Sequence, residues 1–320
     1  MHNYEPITDF DREIWADELE DFVPGKVFDA HTHLWDNKFA PPEGTRVPET
    51  HWDDLDRWSR EVFPGRELDF LLLGMPVAGM KLAGFHDFMA GEIAKSVHHL
   101  GSTIVTPAIS AAELDELIRK HHFSGLKPYR LFAPDPANCR IADYFPEALM
   151  EVADHHRLIV TMHMAKFDGA ADPENLADLA DLTRRYPHIR WILAHCARAF
   201  HPYTLEKSVF VLRDLPNLHY DLSAVCEARS HYLLMKHEDP VRLLFGTDNI
   251  CAGGVHAKYI TWGRGWQYFT GMTVPHCRGD ATLVCYEQMR AMKQAADMAG
   301  ITQDAVEAIF YHNAAALFGF

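Results

Sequence analysis

The sequence predicts an α/β fold, a (β/α)8 TIM barrel, because strand-like apolar runs alternate with longer segments of helical periodicity. The chain has 320 residues, a length that this fold commonly uses as a single domain. Several of the runs end in histidine or aspartate, as expected where barrel strands open onto an active site. We therefore expect an N-terminal extension over 1–26 and one barrel domain over 27–320.

The predicted strands are short apolar runs rich in branched and aromatic residues, and glycine, proline and polar clusters bound them. Parallel strands need long crossover connections, which suits the spacing between the runs. The predicted strands are Val27–Leu34, Leu68–Met75, Thr103–Ile109, Gly125–Leu131, Leu158–His163, Trp191–His195, Leu218–Leu222 and Leu243–Gly246.

The segments between these strands carry apolar residues at three- and four-residue spacing, which is typical of helices that pack on a barrel. Two more helical stretches, Leu283–Ala299 and Asp304–Phe318, follow the last strand. The earlier predicted helices are Phe88–Leu100, Ala111–His122, Ile141–His156, Pro173–Tyr186 and Ser208–Leu215.

Two connections are much longer than the others: Asp36 to Glu67 after the first strand and Asn249 to Arg278 after the eighth. Both follow strand ends that face the active-site side of a barrel, so both should overhang the site. They are rich in tryptophan and arginine, and long loops in compact domains usually act as lids or binding walls. A subunit interface is the alternative, since the same residue types are enriched there.

Composition excludes several classes of function. The formal charge of −15 argues against a nucleic-acid surface, which needs clustered lysine and arginine. No run approaches the roughly 18 apolar residues of a membrane span. The six cysteines form no C-x-x-C pair, and the first residues lack the pattern of a signal peptide. We therefore expect a cytoplasmic protein with reduced thiols.

The most informative motif is the pair His31 and His33, which lies at the end of the apolar run that starts at Val27. Residues i and i+2 of a strand point to the same face, so both imidazoles can converge on one point. Imidazoles hold zinc-like ions at roughly 2.0–2.1 Å. An isolated H-x-H pair also fits a capped strand with one packed histidine.

Three further residues of ligand type, His163, His195 and Asp248, end other strand-like runs. In a barrel of parallel strands these ends open onto one face. The five side chains are therefore expected to converge, which favours a metal or catalytic site over isolated structural roles.

Five short motifs carry a resemblance to a known family. They are D-A-H-T-H at Asp29–His33, M-H-M at Met162–Met164, L-A-H-C at Leu193–Cys196, F-G-T-D at Phe245–Asp248 and N-A-A-A-L-F at Asn313–Phe318. In this order and spacing they resemble the amidohydrolase superfamily, specifically the amidohydrolase-2 branch. That branch includes aminocarboxymuconate-semialdehyde decarboxylase, resorcylate decarboxylases and lactonases.

The resemblance implies that His31, His33, His163 and Asp248 bind one divalent metal ion, most often zinc, with manganese as the alternative. It implies that His195 is the acid/base, although this position is itself a ligand in two-metal relatives. Elementary chemistry agrees, because three histidines and a carboxylate suit zinc with an open position for water. Asp248 then acts as ligand and as catalytic proton acceptor, with a purely structural carboxylate as the alternative.

Substrate contacts are predicted for Lys127, Tyr129 and Arg130 on the fourth strand, for Arg198 after the sixth, and for Trp262 after the eighth. Arginine suits a carboxylate because it can bind both oxygens. Lys127 also lies where two-metal relatives carry a carbamylated lysine that bridges the ions, but we favour substrate binding.

We therefore expect a metal-dependent hydrolase that acts on a small carboxylate-bearing compound with a lactone, amide or related bond. Metal-dependent decarboxylation of an unsaturated or aromatic acid is the first alternative, and a metal-free lactonase is the second. A non-enzymatic barrel is disfavoured, because five polar side chains at one pore mouth are costly to desolvate without a ligand. By analogy with the branch we expect a homodimer.

Overall fold

The computed structural model describes residues 4–43, 47–270, 275–276 and 278–320. Eight parallel strands form one sheet in which each strand pairs with the next along the chain. The strands are β1 (Lys26–Leu34), β2 (Glu67–Gly74), β3 (His99–Val105), β4 (Gly125–Pro128), β5 (Ile159–Met162), β6 (Arg190–Leu193), β7 (Leu218–Asp221) and β8 (Leu243–Leu244). The predicted (β/α)8 architecture is confirmed.

The ends of the sheet meet, so that the eight strands form a nearly closed barrel. The N–H of Ala30 donates to the carbonyl of Phe245 at 2.9 Å, and the N–H of Asp248 donates to the carbonyl of His31 at 2.8 Å. The pairing of β1 with β2 is irregular between Asp29 and Thr32. This irregularity includes Ala30 and His31, the first histidine of the H-x-H pair, and bulges of this kind commonly redirect side chains next to active sites.

Helices surround the barrel and connect its strands. Phe85–Ile93, Ala111–His121 and Pro173–Arg185 are single helices, whereas the predicted helix Ile141–His156 is divided in two. The division falls at Pro146, which cannot donate to a continuing helix. The remaining helices are Asp9–Ile14, Trp52–Val62, Ile141–Tyr144, Glu147–His155, Tyr203–Leu212, Ala228–His237, Val284–Ala299, Gln303–Glu307 and Asn313–Phe318. None of the helices among the described residues has the length and apolar character to cross a membrane.

Several boundaries differ from the sequence-based expectation. The predicted helix Phe88–Leu100 ends at Ile93, and its last residues begin β3, because His99–Ser102 pair with Phe70–Leu73 of β2. The helix Ala228–His237 between β7 and β8 was not predicted. Tertiary packing outweighs weak local helical preference at such boundaries.

The N-terminal extension is folded and packs on the barrel. A π-helical turn, Trp15–Leu19, continues its helix, and Trp15, Leu19 and Phe22 are buried in the main core. The ring of Trp15 lies 5.8 Å from that of Tyr286. The extension therefore contributes to the same hydrophobic core as the barrel.

Both long connections contain regular structure. The first carries the helix Trp52–Val62, and the second carries an antiparallel hairpin of β9 (Lys258–Trp262) and β10 (Gly265–Phe269). Residues 44–46 of the first connection, and residues 271–274 and 277 of the second, lie outside the described residues.

Candidate metal centre

A cavity of about 340 Å³ opens at the carboxyl ends of the barrel strands. All five predicted ligand-type side chains line it: His31, His33, His163, His195 and Asp248. Each of these residues is at most 9% exposed. The convergence expected from the strand ends is therefore present.

Three of these side chains bring one donor atom each to a common point. Nε2 of His31 lies 3.1 Å from Nε2 of His33. The Asp248 Oδ1 atom lies 3.4 Å from His33 Nε2 and 4.0 Å from His31 Nε2. Ligands at roughly 2.1 Å around a tetrahedral ion are separated by about 3.4 Å, so the spacing of this triangle fits a zinc-sized ion.

The protonation states of the triangle also suit a cation. Burial lowers the pKa of His31 to about 3, and burial lowers the pKa of His33 as well. Burial by itself would raise the pKa of Asp248, but hydrogen bonding to His33 and the nearby imidazoles lower it below its ordinary value. Two neutral imidazoles and one carboxylate are the forms in which these groups bind metal.

The backbone of β1 is fixed in the orientation that the triangle needs. The carboxylate of Asp29 accepts hydrogen bonds from the His31 N–H at 3.1 Å and from the Thr247 hydroxyl at 2.6 Å. Gly246 allows the close approach of the strands, since a Cβ there would lie 2.8 Å from the Cβ of His31. The aspartate of the D-A-H-T-H motif thus joins the first strand to the segment that carries Asp248.

His163 lies in the cavity but outside the triangle. Its ring centre is 5.0 Å from that of His195 and 5.0 Å from that of Tyr129. Among the described residues it belongs to none of the groups whose donor atoms lie within 4.8 Å of one another. Its role as a fourth ligand remains a prediction.

Asp221 and Ser223 were missed by the sequence reasoning. Oδ2 of Asp221 lies 2.9 Å from Nδ1 of His31, and Oδ1 accepts the backbone N–H of His195 at 3.2 Å. Asp221 is the last residue of β7, whereas the predicted strand extended to Leu222, so the available signal was a carboxylate near, rather than at, a predicted strand end. Carboxylates that bind the second nitrogen of a ligating histidine fix its tautomer and orientation.

A second group of possible donors, His31, His195 and Asp221, overlaps the first. Asp221 is completely buried and is not among the described residues that line the cavity. Its contact with His31 Nδ1 is a hydrogen bond in length. We therefore interpret Asp221 as a support for His31 and the triangle as the metal-binding group.

His195 does not end a strand, as the sequence suggested, but lies in a turn of left-handed backbone. Strand β6 ends at Leu193, and His195, Cys196, Ala197 and Arg198 have φ values of 58°, 52°, 59° and 63°. This conformation costs roughly 1–2 kcal/mol per residue without glycine. Strain of this kind persists only where surrounding contacts impose it, and it is frequent at functional sites.

Contacts on both sides hold this turn. His195 Nδ1 lies 3.1 Å from the carbonyl of Ser223 and 2.9 Å from its hydroxyl oxygen. The thiol of Cys196 lies 3.6 Å from Nδ1 of His231, whose Nε2 donates to the carbonyl of Val225 at 2.7 Å. Burial raises the pKa of the Cys196 thiol well above its ordinary value, so this cysteine is a packed group rather than a nucleophile.

The predicted substrate-binding residues Lys127, Tyr129, Arg130 and Arg198 all line the cavity. Lys127 is completely buried, and its Nζ lies 3.2 Å from His31 Nε2. Burial lowers the pKa of Lys127 to about 8. Lys127 is therefore close to the metal triangle, and it contacts the same nitrogen of His31 that faces the triangle.

Arg130 and Arg198 are unpaired cations. Each donates a hydrogen bond to a backbone carbonyl, of Pro136 and of Lys166 respectively, but neither lies within 4.0 Å of a carboxylate among the described residues. Burial lowers the pKa of Arg198, and the neighbouring charge of Arg130 lowers it further. Two half-buried guanidinium groups that repel each other would be stabilised by an anion in the cavity.

The hairpin supplies an aromatic wall, but not through the predicted residue. Trp266 and Tyr268 of β10 line the cavity, and the ring of Trp266 stacks on Phe200 with 3.9 Å between centres. Trp262 is 55% exposed at the end of β9 and is not among the described lining residues. Sequence could not distinguish the two tryptophans, because alternation along an unrecognised hairpin decides which side each residue faces.

A family model of amidohydrolases, that of the amidohydrolase-2 family, matches residues 28–320. The chain therefore belongs to the amidohydrolase-2 family, as its motifs indicated. A search of curated proteins gave no significant match.

Solved structures with the same fold include three enzymes of low sequence identity. The 5-carboxyvanillate decarboxylase of Sphingomonas paucimobilis is 13% identical, with a TM-score of 0.55 over 93% of this chain and 100% of its own. A dihydroxybenzoic acid decarboxylase from a Polaromonas species, with bound manganese and 2-nitroresorcinol, is 17% identical, with a TM-score of 0.57 over 92% and 97%. A probable 2-pyrone-4,6-dicarboxylic acid hydrolase from Acinetobacter baumannii is 12% identical, with a TM-score of 0.56 over 92% and 99%.

Proposed function

We propose that this protein is a metal-dependent hydrolase that acts on a small, flat, carboxylate-bearing compound with a lactone, amide or related bond. The observation that carries the proposal is the triangle of His31, His33 and Asp248 beside the imidazole of His195. A divalent ion held there, zinc or manganese, supplies Lewis-acid polarisation of a carbonyl and lowers the pKa of water.

His195 is proposed as the proton acceptor. Its Nδ1 is 3.1 Å from the Ser223 carbonyl, and a carbonyl oxygen can only accept a hydrogen bond. We therefore assign a proton to Nδ1, so that Nε2 is the nitrogen through which the neutral imidazole would take a proton from water. The same nitrogen would serve either reaction: it accepts a proton from water in a hydrolase and delivers a proton to carbon in a decarboxylase.

Asp248 is proposed to share the proton transfer. Its lowered pKa keeps the carboxylate ionised at neutral pH, and its Oδ1 lies 3.4 Å from His33 Nε2. An ionised carboxylate at the edge of the triangle can bind the metal through one oxygen and accept a hydrogen bond with the other.

Arg130 and Arg198 are proposed to bind a carboxylate of the substrate, because among the described residues no carboxylate lies within 4.0 Å of either cation and their recorded hydrogen bonds go to backbone carbonyls. The wall of Trp266, Tyr268 and Phe200 favours a flat molecule. A cavity of about 340 Å³ is at the small end of the range for ligand sites, which suits a single-ring compound.

Non-oxidative decarboxylation is the second candidate function. An aromatic wall facing two arginines also suits an aromatic or unsaturated acid, and two of the similar structures are decarboxylases of such acids. The metal triangle serves both reactions, so the chemistry of the bound compound separates them.

The test uses metal-stripped and zinc-loaded protein incubated with flat lactones, aryl amides and aromatic or unsaturated carboxylic acids in H2¹⁸O. Hydrolysis predicts zinc-dependent turnover in which the product gains one ¹⁸O atom and no carbon dioxide is released. Carbon dioxide release without ¹⁸O in the organic product would replace the hydrolase with the decarboxylase. Equal hydrolysis by the stripped protein would favour a metal-free lactonase.

A further inference from the structure

The N-terminal segment reaches the end of β8 through Tyr4. The hydroxyl oxygen of Tyr4 accepts a hydrogen bond from Nδ2 of Asn249 at 2.6 Å. The ring of Tyr4 stacks on Trp58 with 4.7 Å between centres and 14° between planes. Burial raises the pKa of Tyr4 above its ordinary value, so the hydroxyl stays neutral. Tyr4 is therefore a fixed, uncharged hydrogen-bonding group next to Asn249.

Asn249 connects Tyr4 with a proposed metal ligand. Its Oδ1 accepts the backbone N–H of His33 at 2.6 Å, and its Nδ2 lies 3.2 Å from the His33 carbonyl oxygen. Asn249 is completely buried. The side-chain amide thus binds both backbone groups of His33, as a neighbouring strand would.

The two hydrogen bonds between the Asn249 side chain and the His33 backbone, here called the clamp, lie beyond the end of strand β8. Strand β8 contains only Leu243 and Leu244, so it ends before it could pair with the part of β1 that carries His33. Unpaired backbone groups at a strand end are otherwise left to water or to fluctuation. Asn249 supplies the missing partner, and Tyr4 holds Asn249 in place from the outside.

We propose that Tyr4 and Asn249 are positioning residues of the metal centre, and that the N-terminal segment completes it by fixing His33. The inference rests on the proposed metal-dependent function. Partners outside the ligand shell typically change metal affinity by about 10- to 100-fold, because they orient the ligands before the ion arrives.

The test compares two substitutions that each remove one buried hydroxyl. Tyr4→Phe keeps the ring that stacks on Trp58 and removes the hydroxyl that accepts the hydrogen bond of Asn249. Tyr286→Phe is the matched control, because it also removes a hydrogen-bonded tyrosine hydroxyl, which here donates to the Val62 carbonyl at 2.7 Å. Tyr286 lies on a helix that carries none of the donor residues. Asn249→Ala removes the clamp itself.

Two quantities are measured on metal-stripped full-length protein: zinc affinity by competition with a chelator, and hydrogen exchange of the His33 backbone amide without zinc. Tyr4→Phe is expected to weaken zinc binding roughly threefold to tenfold, which is what one hydrogen bond is worth. Asn249→Ala is expected to weaken it by about 10- to 100-fold. Both should speed exchange at His33, and Tyr286→Phe should change neither quantity.

The outcomes separate this inference from the proposed function. If Tyr4→Phe matches Tyr286→Phe in zinc affinity and in His33 exchange, the positioning role of Tyr4 is overturned, even if Asn249→Ala fails to fold. If no variant binds zinc but Tyr4→Phe still speeds His33 exchange, the metal-dependent function fails while the clamp on His33 stands.

Discussion

The two ends of the barrel each contain a cavity, and they differ in how charge is compensated. The cavity at the amino ends is the larger, at about 490 Å³ against about 340 Å³. Most of its charged groups are paired: Lys26 with Glu67 at 3.1 Å, His98 with Asp69 at 3.1 Å, and Arg60 with its helical neighbour Asp56 at 2.9 Å. Arg66 is the exception among the described lining residues, since it donates to backbone carbonyls only.

At the carboxyl ends the cations are left without such partners. Lys127, Arg130 and Arg198 line the smaller cavity, and none of them lies within 4.0 Å of a carboxylate among the described residues. Unpaired buried charge is unfavourable for the protein alone. Among the described lining residues, three cations without a carboxylate partner face the carboxyl-end cavity, one of them the completely buried Lys127, against Arg66 alone at the amino ends. We infer that this excess of uncompensated cations, rather than cavity size, distinguishes the two ends.

The largest expected effect is on zinc binding, and it is tested by replacing one carboxylate at each end of the barrel. Asp248→Asn should weaken zinc binding by more than about 100-fold, since a ligand matters more than the outer contacts that cost 10- to 100-fold. Asp69→Asn should leave zinc binding unchanged, because its ion pair with His98 lies at the other end. Chelator competition measures both, and equal affinity in Asp248→Asn would exclude this carboxylate as a ligand.

The unpaired arginines give the next largest effect. Arg198→Met should weaken binding of isophthalate, a flat dicarboxylate, by about 10- to 100-fold, the range of a charge-assisted hydrogen bond. It should not lower the melting temperature, because it also removes the repulsion from Arg130. Calorimetric titration and thermal unfolding test this, with Arg60→Met at the amino ends as the control. Unchanged affinity of Arg198→Met for isophthalate, or an equally large loss of affinity in Arg60→Met, would contradict the proposed anion site.

The third prediction concerns a cluster of paired groups, Asp11, His256 and Thr282, which should affect the stability of the fold rather than ligand binding. Asp11 is completely buried and receives hydrogen bonds from His256 at 2.7 Å and from the Thr282 hydroxyl at 2.6 Å. Burial would raise the pKa of Asp11, but these hydrogen bonds lower it below its usual range. Asp11→Asn should lower the free energy of unfolding at pH 6 by about 1–3 kcal/mol, measured by urea denaturation.

The pH dependence follows from the direction of each shift. The pKa of Asp11 is lowered on folding. Its contribution to the free energy of unfolding is therefore present above its unfolded pKa of about 3.9 and is lost as the pH falls below that value. Burial would lower the pKa of His256, but its hydrogen bonds to Asp11 and Glu5 raise it. The contribution of His256 to the free energy of unfolding therefore declines as the pH rises above about 6.5. The difference in the free energy of unfolding between wild type and Asp11→Asn should be largest between about pH 3.9 and pH 6.5. A difference that grows towards pH 9 would contradict the pairing of Asp11 with His256.

The smallest effect separates the two tryptophans of the hairpin. Trp266→Ala should weaken isophthalate binding severalfold, because it removes the ring that stacks on Phe200. Trp262→Ala should change neither affinity nor melting temperature, since its side chain is largely exposed. A loss of affinity in Trp262→Ala equal to that in Trp266→Ala would place the predicted contact at Trp262 after all.

The sequence predicted the barrel and the convergence of five side chains, because strand ends in a parallel barrel share one face whatever their separation in the chain. His31 and Asp248 are an example, since they are far apart in sequence but their Nε2 and Oδ1 atoms lie 4.0 Å apart in the structure. The amidohydrolase-2 family is confirmed. The predicted homodimer and cytoplasmic location stay predictions.

What the sequence did not predict depends on contacts between distant segments. The left-handed turn at His195 has no local signal, because its residues are alanine, cysteine, histidine and arginine rather than glycine. Asp221 was not predicted, because the predicted strand Leu218–Leu222 continues one residue past it, whereas β7 ends at Asp221. Tyr4 could not be found at all, since its partner Asn249 is near only after the barrel closes.

The most direct test of the metal centre is anomalous diffraction at the zinc edge from crystals grown with zinc, together with the metal content per chain. We predict one ion per chain, within bonding distance of His31 Nε2, His33 Nε2 and the carboxylate of Asp248. An ion bound instead by His31 Nδ1, Asp221 and His195, or the absence of any ion from the cavity, would contradict the account.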